Sequence, residues 1–293
     1  MKTLIKNGLL IDSANQVQAY LNLILEDGKV VAVTEEEPEA DRVIDATGKV
    51  VAPGFIDIHM HEDPVKDGKI EFCIFDAMLR MGVTTAVGGN CGINVYDPVK
   101  YLDMVEKDGA PVNVMLFAGH QYFREAAGAL DKYAPVTKEQ QEHMKKGLEK
   151  ALEAGCVGIS YGLRYVPGTG RDEFLDTASC CEKEHRMISA HVRDDEDRVF
   201  GAVAEVAEAG KLYNIPVQVS HIGSMAGFGQ MKQLLRQVDG YRMNGIDVAC
   251  DCYPYFAFST RIGATTYDDG WLERYHCDYS ACQLTEGKYK GQR

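Results

Sequence analysis

The sequence predicts an α/β protein in which parallel β/α units follow a small N-terminal β unit. From residue 52 onward, short apolar segments alternate with amphipathic segments of helical period, which is the pattern of parallel β/α units. Before that point, apolar and polar residues alternate between glycine-containing corners, which is typical of short strands. We therefore place a partial β-sandwich domain at residues 1–51 and a β/α barrel domain at residues 52–293.

The N-terminal domain is predicted from five short apolar segments, at residues 4–5, 9–11, 21–25, 30–33 and 43–44. Their spacing predicts a small antiparallel β unit. A sheet this short would have exposed edges, so we expect other strands to complete it.

The barrel domain is predicted to contain seven strands, at residues 54–59, 84–89, 112–118, 156–162, 187–191, 216–221 and 247–253. The first of them is apolar throughout, so we expect it to be buried on both faces. Predicted helices lie at residues 70–81, 138–154, 198–213 and 231–244. Residues 119–136 are expected to form a loop over the site. Residues 256–293 contain no apolar strand followed by a helix, so the barrel is expected to lack its eighth strand.

The composition favours a small-molecule partner. The chain of 293 residues is 45% hydrophobic and has a formal net charge of −13, which argues against binding to nucleic acids or anionic membranes. The N-terminus has too short an apolar stretch for a signal peptide, so we expect a cytoplasmic protein. The nine cysteines lack the dense spacing of a disulfide scaffold.

The chemistry-bearing residues fall at or just past the ends of predicted strands. His59 and His61 are two residues apart in an extended segment, so both side chains point the same way and can share a metal. Cys91, His191 and His221 end three other strands, on the face where barrel enzymes build their sites. Taken singly, each histidine is better explained as a core or surface residue, and Cys91 as a buried apolar thiol.

Several segments together resemble the N-acyl-D-amino-acid deacylases (D-aminoacylases) of the amidohydrolase superfamily, over roughly residues 1–272. The segments are PGFIDIHMH at residues 53–61, GGNCG at 88–92, AGH at 118–120, GLRYVPG at 162–168, AHVR at 190–193, VSH at 219–221 and DCYPY at 251–255. The resemblance implies a (β/α)8 TIM-type barrel and a hydrolase that uses zinc.

The resemblance also assigns metal ligands. Cys91, His191 and His221 match the ligands of a tightly held zinc, and His59 with His61 matches a second, weaker metal position. Many related hydrolases bridge two metals with a carboxylated lysine on strand four, but residues 156–162 contain no lysine. Cys91 is therefore the more plausible bridging ligand.

Substrate contacts are implied at Tyr165, Tyr253 and Ser259, and Arg193 is a local cation that would assist, as are Arg164 and Arg261. His120, which with Arg124 fits the family pattern, is interpreted as structural rather than as a ligand. The family's general base is an aspartate on strand eight, and no residue of this sequence matches it. Asp251, Asp268 and Asp269 lie on or just after strand seven and are not assigned that role.

The predicted function is hydrolysis of the amide bond of N-acyl-D-amino acids by metal-activated water. A first alternative is another C–N hydrolase of the superfamily, such as a dihydroorotase-like or hydantoinase-like enzyme that opens cyclic amides. A nucleobase deaminase is disfavoured because no acidic residue follows His221 at the required position. A different class of alternative is an inactive metal-binding fragment.

Overall fold

The computed structural model describes residues 1–293 and divides them into two compact units, Met1–Phe55 and Ile56–Arg293. The division lies close to the boundary between the two predicted domains. Each unit contains its own sheets, except that one short strand, Phe55–Asp57, begins at the division.

The N-terminal unit contains seven strands in two sheets. They are β1 (Lys2–Lys6), β2 (Leu9–Asp12), β3 (Val17–Tyr20), β4 (Asn22–Glu26), β5 (Lys29–Thr34), β6 (Arg42–Asp45) and β7 (Val50–Val51). One sheet has the order β5-β4-β1-β6 and the other the order β3-β2-β7. The prediction of a purely antiparallel unit is wrong, because β6 pairs parallel to β1 and β7 pairs parallel to β2. Both strands return by a crossover rather than a hairpin, and strand direction is not encoded in apolar alternation.

The second unit alternates strands and helices. Its strands are β8 (Phe55–Asp57), β9 (Val65–Lys66), β10 (Lys69–Ile70), β11 (Val83–Gly88), β12 (Asn113–Leu116), β13 (Ala118–Gly119), β14 (Gly158–Gly162), β15 (Met187–His191), β16 (Val217–Val219) and β17 (Val248–Cys250). Its helices are α1 (Ile74–Arg80), α2 (Pro98–Asp108), α3 (His120–Ala126), α4 (Lys138–Glu153), α5 (Arg171–Ala178), α6 (Val199–Tyr213), α7 (Ile222–Met225), α8 (Met231–Met243) and α9 (Trp271–Arg274).

The main strands of this unit form two sheets, of order β12-β11-β8 and β13-β14-β15-β16-β17. All neighbours from β13 to β17 pair in parallel, and Phe117 is the single residue between β12 and β13. The predicted α/β class is therefore confirmed. Each of the seven predicted strands is present, mostly with shorter bounds.

The core lies between these strands and the helices that follow them. Ile159, Ile188 and Val219 on adjacent strands are fully buried, and α4 packs its buried Leu148 and Leu152 into the same cluster. Helix α4 begins at residue 138, as predicted, and its start is stabilised by a reciprocal hydrogen-bonded cap between Thr137 and Gln140. This packing holds the carboxyl ends of the strands in register, and the candidate site lies there.

The first strand of this unit differs from its prediction. Residues 54–59 were expected to be buried on both faces, but in β8 the side chains of Phe55 and Ile56 are 61% and 70% exposed. Because β8 is the last strand in its sheet, one of its edges has no neighbour in the structure. The apolar run at residues 54–59 therefore predicted a strand correctly, but the prediction that this strand is buried on both faces is wrong.

Helices account for the other differences. The predicted loop at residues 119–136 contains α3, and α2 and α5 were not predicted. The longest helix, α4, has 16 residues, and no helix is both long enough and apolar enough to cross a membrane. All nine cysteines are free thiols, of which Cys73 and Cys252 are exposed.

Candidate metal centre

The structure brings the five predicted ligands together in two groups that share Cys91. One group is Cys91, His191 and His221, and the other is His59, His61 and Cys91. Within each group, one potential ligand atom from each residue lies within 4.8 Å of the others. The sharing of Cys91 is the arrangement required of a bridging ligand.

The distances match the needs of a metal ion. Sγ of Cys91 lies 3.5 Å from Nε2 of His59 and 3.5 Å from Nε2 of His221. Zinc holds sulfur at about 2.3 Å and nitrogen at about 2.0 Å in a tetrahedral arrangement, which places two such ligands about 3.6 Å apart. The donor set is also one that zinc prefers, since it consists of a thiol and imidazoles.

Cys91 is placed by a tight turn after β11. Its φ of 57° is in the left-handed region, which residues other than glycine seldom adopt. The carbonyl oxygen of Cys91 lies so close to Gly162, at the end of β14, that a Cβ atom there would be 2.2 Å from it. Buried Glu62 fixes the same turn, because its carboxylate accepts hydrogen bonds from the backbone N–H groups of Gly89 and Val95. Backbone strain of this kind is concentrated at functional sites.

His221 is held with one ring nitrogen free to bind a metal. Its backbone is also left-handed, with a φ of 34°. Oγ of Ser224 lies 2.9 Å from the carbonyl oxygen of His221, to which it donates, and 3.0 Å from Nδ1 of the same residue. Because the Ser224 hydroxyl proton is used on the carbonyl, Nδ1 is assigned as the donor to Oγ. The lone pair is then on Nε2, which faces Cys91.

His59 is oriented in the same way by a carboxylate. Oδ2 of Asp251 lies 3.3 Å from Nδ1 of His59, so this nitrogen carries the proton and Nε2 faces Cys91. The other Asp251 oxygen accepts the backbone N–H of His221 at 2.6 Å. Burial alone would lower the pKa of His59, but the hydrogen bonds with Asp251 and Cys91 raise it to about 10. A metal that binds Nε2 must therefore displace a proton from that nitrogen. One carboxylate thus supports two of the five predicted ligands.

His191 is the most buried of the four histidines, with 6% of its surface exposed. Burial, and then the charges of His221 and His59, hold the pKa of His191 well below its usual value. Its Nδ1 atom is buried without a hydrogen-bond partner, which is costly unless a ligand satisfies it. The ring of Tyr165, in the loop after β14, lies 4.4 Å from the His191 ring, so Tyr165 lines the centre.

The other predicted substrate residues differ in exposure and in their partners. Tyr253 is half-buried just past β17, and Ser259 is exposed in the segment that follows. Arg193 forms a bidentate ion pair with Glu205 of α6, with its shortest contact at 2.8 Å. The structure thus engages the Arg193 guanidinium with a carboxylate of its own chain. Of the four histidines that are not proposed ligands, His143, His185 and His276 are exposed and His120 is buried.

Asp251, Glu62 and Ser224 are supporting residues that sequence reasoning did not assign. Asp251 is 192 positions from His59, and a partner that distant leaves no local pattern. Glu62 directly follows His61, and Ser224 follows His221 by three residues. Glu62 and Ser224 could therefore have been predicted as supporting residues, because each is a polar residue close in sequence to a predicted ligand.

Comparison with known proteins supports the same family. A sequence model described as "Amidohydrolase family" matches residues 42–161. The chain is 31% identical to an N-acyl-D-glutamate deacylase of Alcaligenes xylosoxydans xylosoxydans over 87% of its own length and 57% of the relative's. It is 28% identical to a D-aminoacylase of the same organism over 88% and 58% of the two lengths.

A solved structure is similar over the same region. The crystal structure of N-acyl-D-glutamate deacylase from Bordetella bronchiseptica, complexed with zinc and a phosphonate mimic of the tetrahedral intermediate, matches with a TM-score of 0.75 and 30% identity. The match covers 86% of this chain and 58% of that one. The resemblance to amidohydrolases and their N-acyl-D-amino-acid deacylases is confirmed. The chain spans less than three fifths of the length of the relatives it matches.

Proposed function

We propose that this amidohydrolase chain carries the metal centre of an enzyme that hydrolyses N-acyl-D-amino acids to a carboxylate and a free D-amino acid. The observation that carries the proposal is the position of the Cys91 thiol, 3.5 Å from Nε2 of both His59 and His221. The activity is suggested by the relatives, which are described as an N-acyl-D-glutamate deacylase and a D-aminoacylase.

The proposed ligands of a tightly bound zinc are Cys91, His191 and His221. A second, weaker metal position would use His59 and His61 and share Cys91. The unpartnered Nδ1 atom of buried His191 supports this assignment, because a bound metal would satisfy a nitrogen on that ring. Asp251 and Ser224 contribute by keeping His59 and His221 protonated on Nδ1, so that each Nε2 is available.

The chemistry that zinc supplies when bound is polarisation of a carbonyl and activation of water. The protein's part is to orient the substrate over the centre. Tyr165 packs on His191 and presents its ring at the edge of the site, next to where a scissile amide would lie. Tyr253, Ser259 and Arg193 are the further proposed substrate contacts. Arg193 would reach a substrate carboxylate only by leaving Glu205.

The proposal includes a finer description of the fold. We propose that the strands of the two main sheets, β8 and β11 to β17, form a (β/α)8 TIM-type barrel without its eighth strand. β8 and β17 each end a sheet and each lack a neighbour on one side, which is where such a strand would pair.

A second candidate, metal binding without turnover by these 293 residues, is favoured by one observation. Asp251 is the carboxylate in contact with the proposed ligands, and it is already engaged by His59, Gln218 and the backbone of His221. A carboxylate held by three donors is a poor general base, and loss of a general base typically costs 10²- to 10⁴-fold in rate.

A cyclic-amide hydrolase is less well supported. The lysine that would bridge two metals in such enzymes belongs on the fourth strand, and β14 has the sequence GISYG. The strand contains no lysine, so it supplies no such bridge to the centre.

The test is zinc content measured together with hydrolysis of N-acetyl-D- and N-acetyl-L-amino acids and of a cyclic amide. It is applied to the 293-residue chain and to a form extended at its C-terminal end. Zinc binding with cleavage of the D series by either form supports the deacylase. Zinc binding by the 293-residue chain with cleavage of neither series supports metal binding without turnover by these residues. Cleavage of the cyclic amide alone would overturn the proposal.

A further inference from the structure

A buried charged cluster lies beside the candidate metal centre and takes no part in it. Arg124 of α3 is 1% exposed, and its Nε donates to Oε1 of Glu173 on α5 at 3.1 Å. Nε2 of His120 lies 3.0 Å from the same oxygen. Buried ionic groups are costly unless they are paired, so this cluster places a strong constraint on where the Arg124 side chain lies.

The remaining nitrogens of Arg124 hold a separate stretch of backbone, residues 129–134. Nη1 donates to the carbonyl oxygens of Ala129 and Asp131, at 3.4 and 3.0 Å, and Nη2 donates to that of Ala134. A guanidinium offers five N–H donors in a rigid planar arrangement, so one arginine side chain can donate to three carbonyls and a carboxylate at once. The path of this segment is therefore fixed from inside the protein.

The 129–134 segment in turn supports the loop that carries Tyr165. The backbone N–H of Gly168 donates to the carbonyl oxygen of Lys132 at 2.8 Å. The contact is so close that a Cβ atom on Gly168 would lie 2.3 Å from the carbonyl oxygen of Ala134. Only two residues separate Tyr165 from Gly168, so the support acts near the base of the Tyr165 side chain.

The other side of the Tyr165 loop is held by residues 263–268. Oγ1 of Thr265 donates to the carbonyl oxygen of Arg164 at 2.6 Å. The two supports are also joined to each other, because the hydroxyl of Tyr133 donates to Asp268 at 3.0 Å. The Tyr165 loop thus lies between two segments that are linked by a hydrogen bond.

We infer that Arg124, held by Glu173 and His120, is a positioning residue for Tyr165: it fixes the 129–134 segment and thereby holds the Tyr165 ring against His191. The role of Tyr165 in substrate binding rests on the proposed function, but the positioning itself does not. Arg124 touches neither the proposed ligands nor the space in front of them, so it acts through the loop alone.

The experiment is hydrogen exchange of backbone amides in the 293-residue chain, with Gly168→Ala compared with Gly170→Ala. A Cβ on Gly168 meets the 129–134 segment, whereas a Cβ on Gly170 meets nothing within 4 Å. We expect the amides of residues 162–168 to exchange at least tenfold faster in Gly168→Ala and at the parent rate in Gly170→Ala. Arg124→Lys keeps the charge beside Glu173 but cannot reach three carbonyls, so faster exchange is expected at both 129–134 and 162–168.

A matched control for Arg124→Lys is Arg171→Lys, which alters an exposed ion pair between the first residue of α5 and Glu208 of α6. The inference would be overturned if the amides of residues 162–168 exchanged at the parent rate in Gly168→Ala. It would also be overturned if Arg124→Lys sped exchange at residues 129–134 but left residues 162–168 at the parent rate. If Arg124→Lys does not fold, the exchange measured in Gly168→Ala tests the inference, because that substitution leaves the cluster of Arg124, Glu173 and His120 intact.

Activity gives a second readout that is independent of exchange. For any form that hydrolyses N-acetyl-D-glutamate, Gly168→Ala is expected to raise KM severalfold with kcat within twofold of the parent. An equal loss in kcat with KM unchanged would count against positioning. If no form hydrolyses the substrate, the proposed function fails while the exchange result still decides the positioning role.

Discussion

The hydroxyl of Ser224 is hydrogen-bonded to both polar groups of His221 that face it, the ring Nδ1 at 3.0 Å and the carbonyl oxygen at 2.9 Å. One short helix, α7, thereby fixes the tautomer of a residue that precedes it. The ring can present only Nε2 to the thiol of Cys91. Supporting contacts of this kind are expected to matter for metal affinity.

Ser224→Ala is therefore expected to weaken zinc binding about tenfold, because partners of metal-binding histidines typically contribute 10- to 100-fold in affinity. Competition with a chromophoric chelator measures the change. Ser13→Ala, at an exposed turn in the N-terminal unit, serves as the control and should bind zinc like the parent. Equal affinity of the Ser224 and Ser13 variants would contradict the role assigned to the hydroxyl.

Asp251→Asn is expected to have the larger effect, roughly 10- to 100-fold in zinc affinity. The carboxylate accepts from His59, Gln218 and the backbone of His221, whereas an amide has a single acceptor oxygen. Asp247→Asn is the matched control, since Asp247 is an exposed residue just before the same strand. The prediction fails if both variants keep the parent's affinity in the same competition assay.

Two substitutions of Cys91 separate metal binding by its thiol from the energetic cost of its left-handed backbone conformation. Both Cys91→Ala and Cys91→Gly should lose tightly bound zinc, because both remove the thiol. Without metal, Cys91→Gly is expected to be about 1 kcal/mol more stable than Cys91→Ala, since the φ of 57° is unfavourable for any residue with a Cβ. Urea unfolding of the metal-free variants measures the difference. Zinc bound to Cys91→Ala with the parent's stoichiometry and affinity would remove Cys91 from the ligand set.

Glu196 gives a pH-dependent prediction. Burial, together with the charge of neighbouring Asp195, raises the pKa of Glu196 from 4.5 to about 7, although a hydrogen bond from Gln230 opposes the shift. Between pH 4.5 and 7 the folded protein keeps a proton that the unfolded chain has released. This carboxyl group therefore lowers the free energy of unfolding as pH rises through that window, by at most about 1.4 kcal/mol per pH unit.

Glu196→Gln should remove that slope and be more stable than the parent at pH 8, with little difference at pH 4. The measurement is the difference in unfolding free energy between parent and variant at several pH values. Glu182→Gln, an exposed residue, should show no such trend. A parent–variant difference that does not change from pH 4.5 to 8 would rule out a buried, titrating Glu196.

The positions of the proposed ligands along the chain could be predicted because each follows an apolar run. β15, at Met187–His191, has the predicted bounds, and its last residue is the predicted ligand. Cys91 and His221 come just after strands whose apolar residues define the pattern. Parallel strands end at one edge of the sheet, so residues placed there meet without any further information.

What could not be predicted depends on contacts between distant residues. The direction of β6 and β7 comes from pairing with β1 and β2, not from their own alternation. Helix α3 contains Arg124, whose partner Glu173 lies 49 positions away. The hydrogen bond between Asp251 and His59 likewise exists only once the sheets have formed.

The exposed Phe55 and Ile56 of β8 have a practical consequence for handling the protein. A strand with a free edge and apolar side chains is a template for pairing with the same strand of another molecule. At neutral pH a net charge of −13 keeps molecules apart, but acidification removes that repulsion as carboxylates gain protons. Concentrated solutions should therefore turn turbid on mild acidification before the fold is lost, and replacing Ile56 with lysine should delay the turbidity.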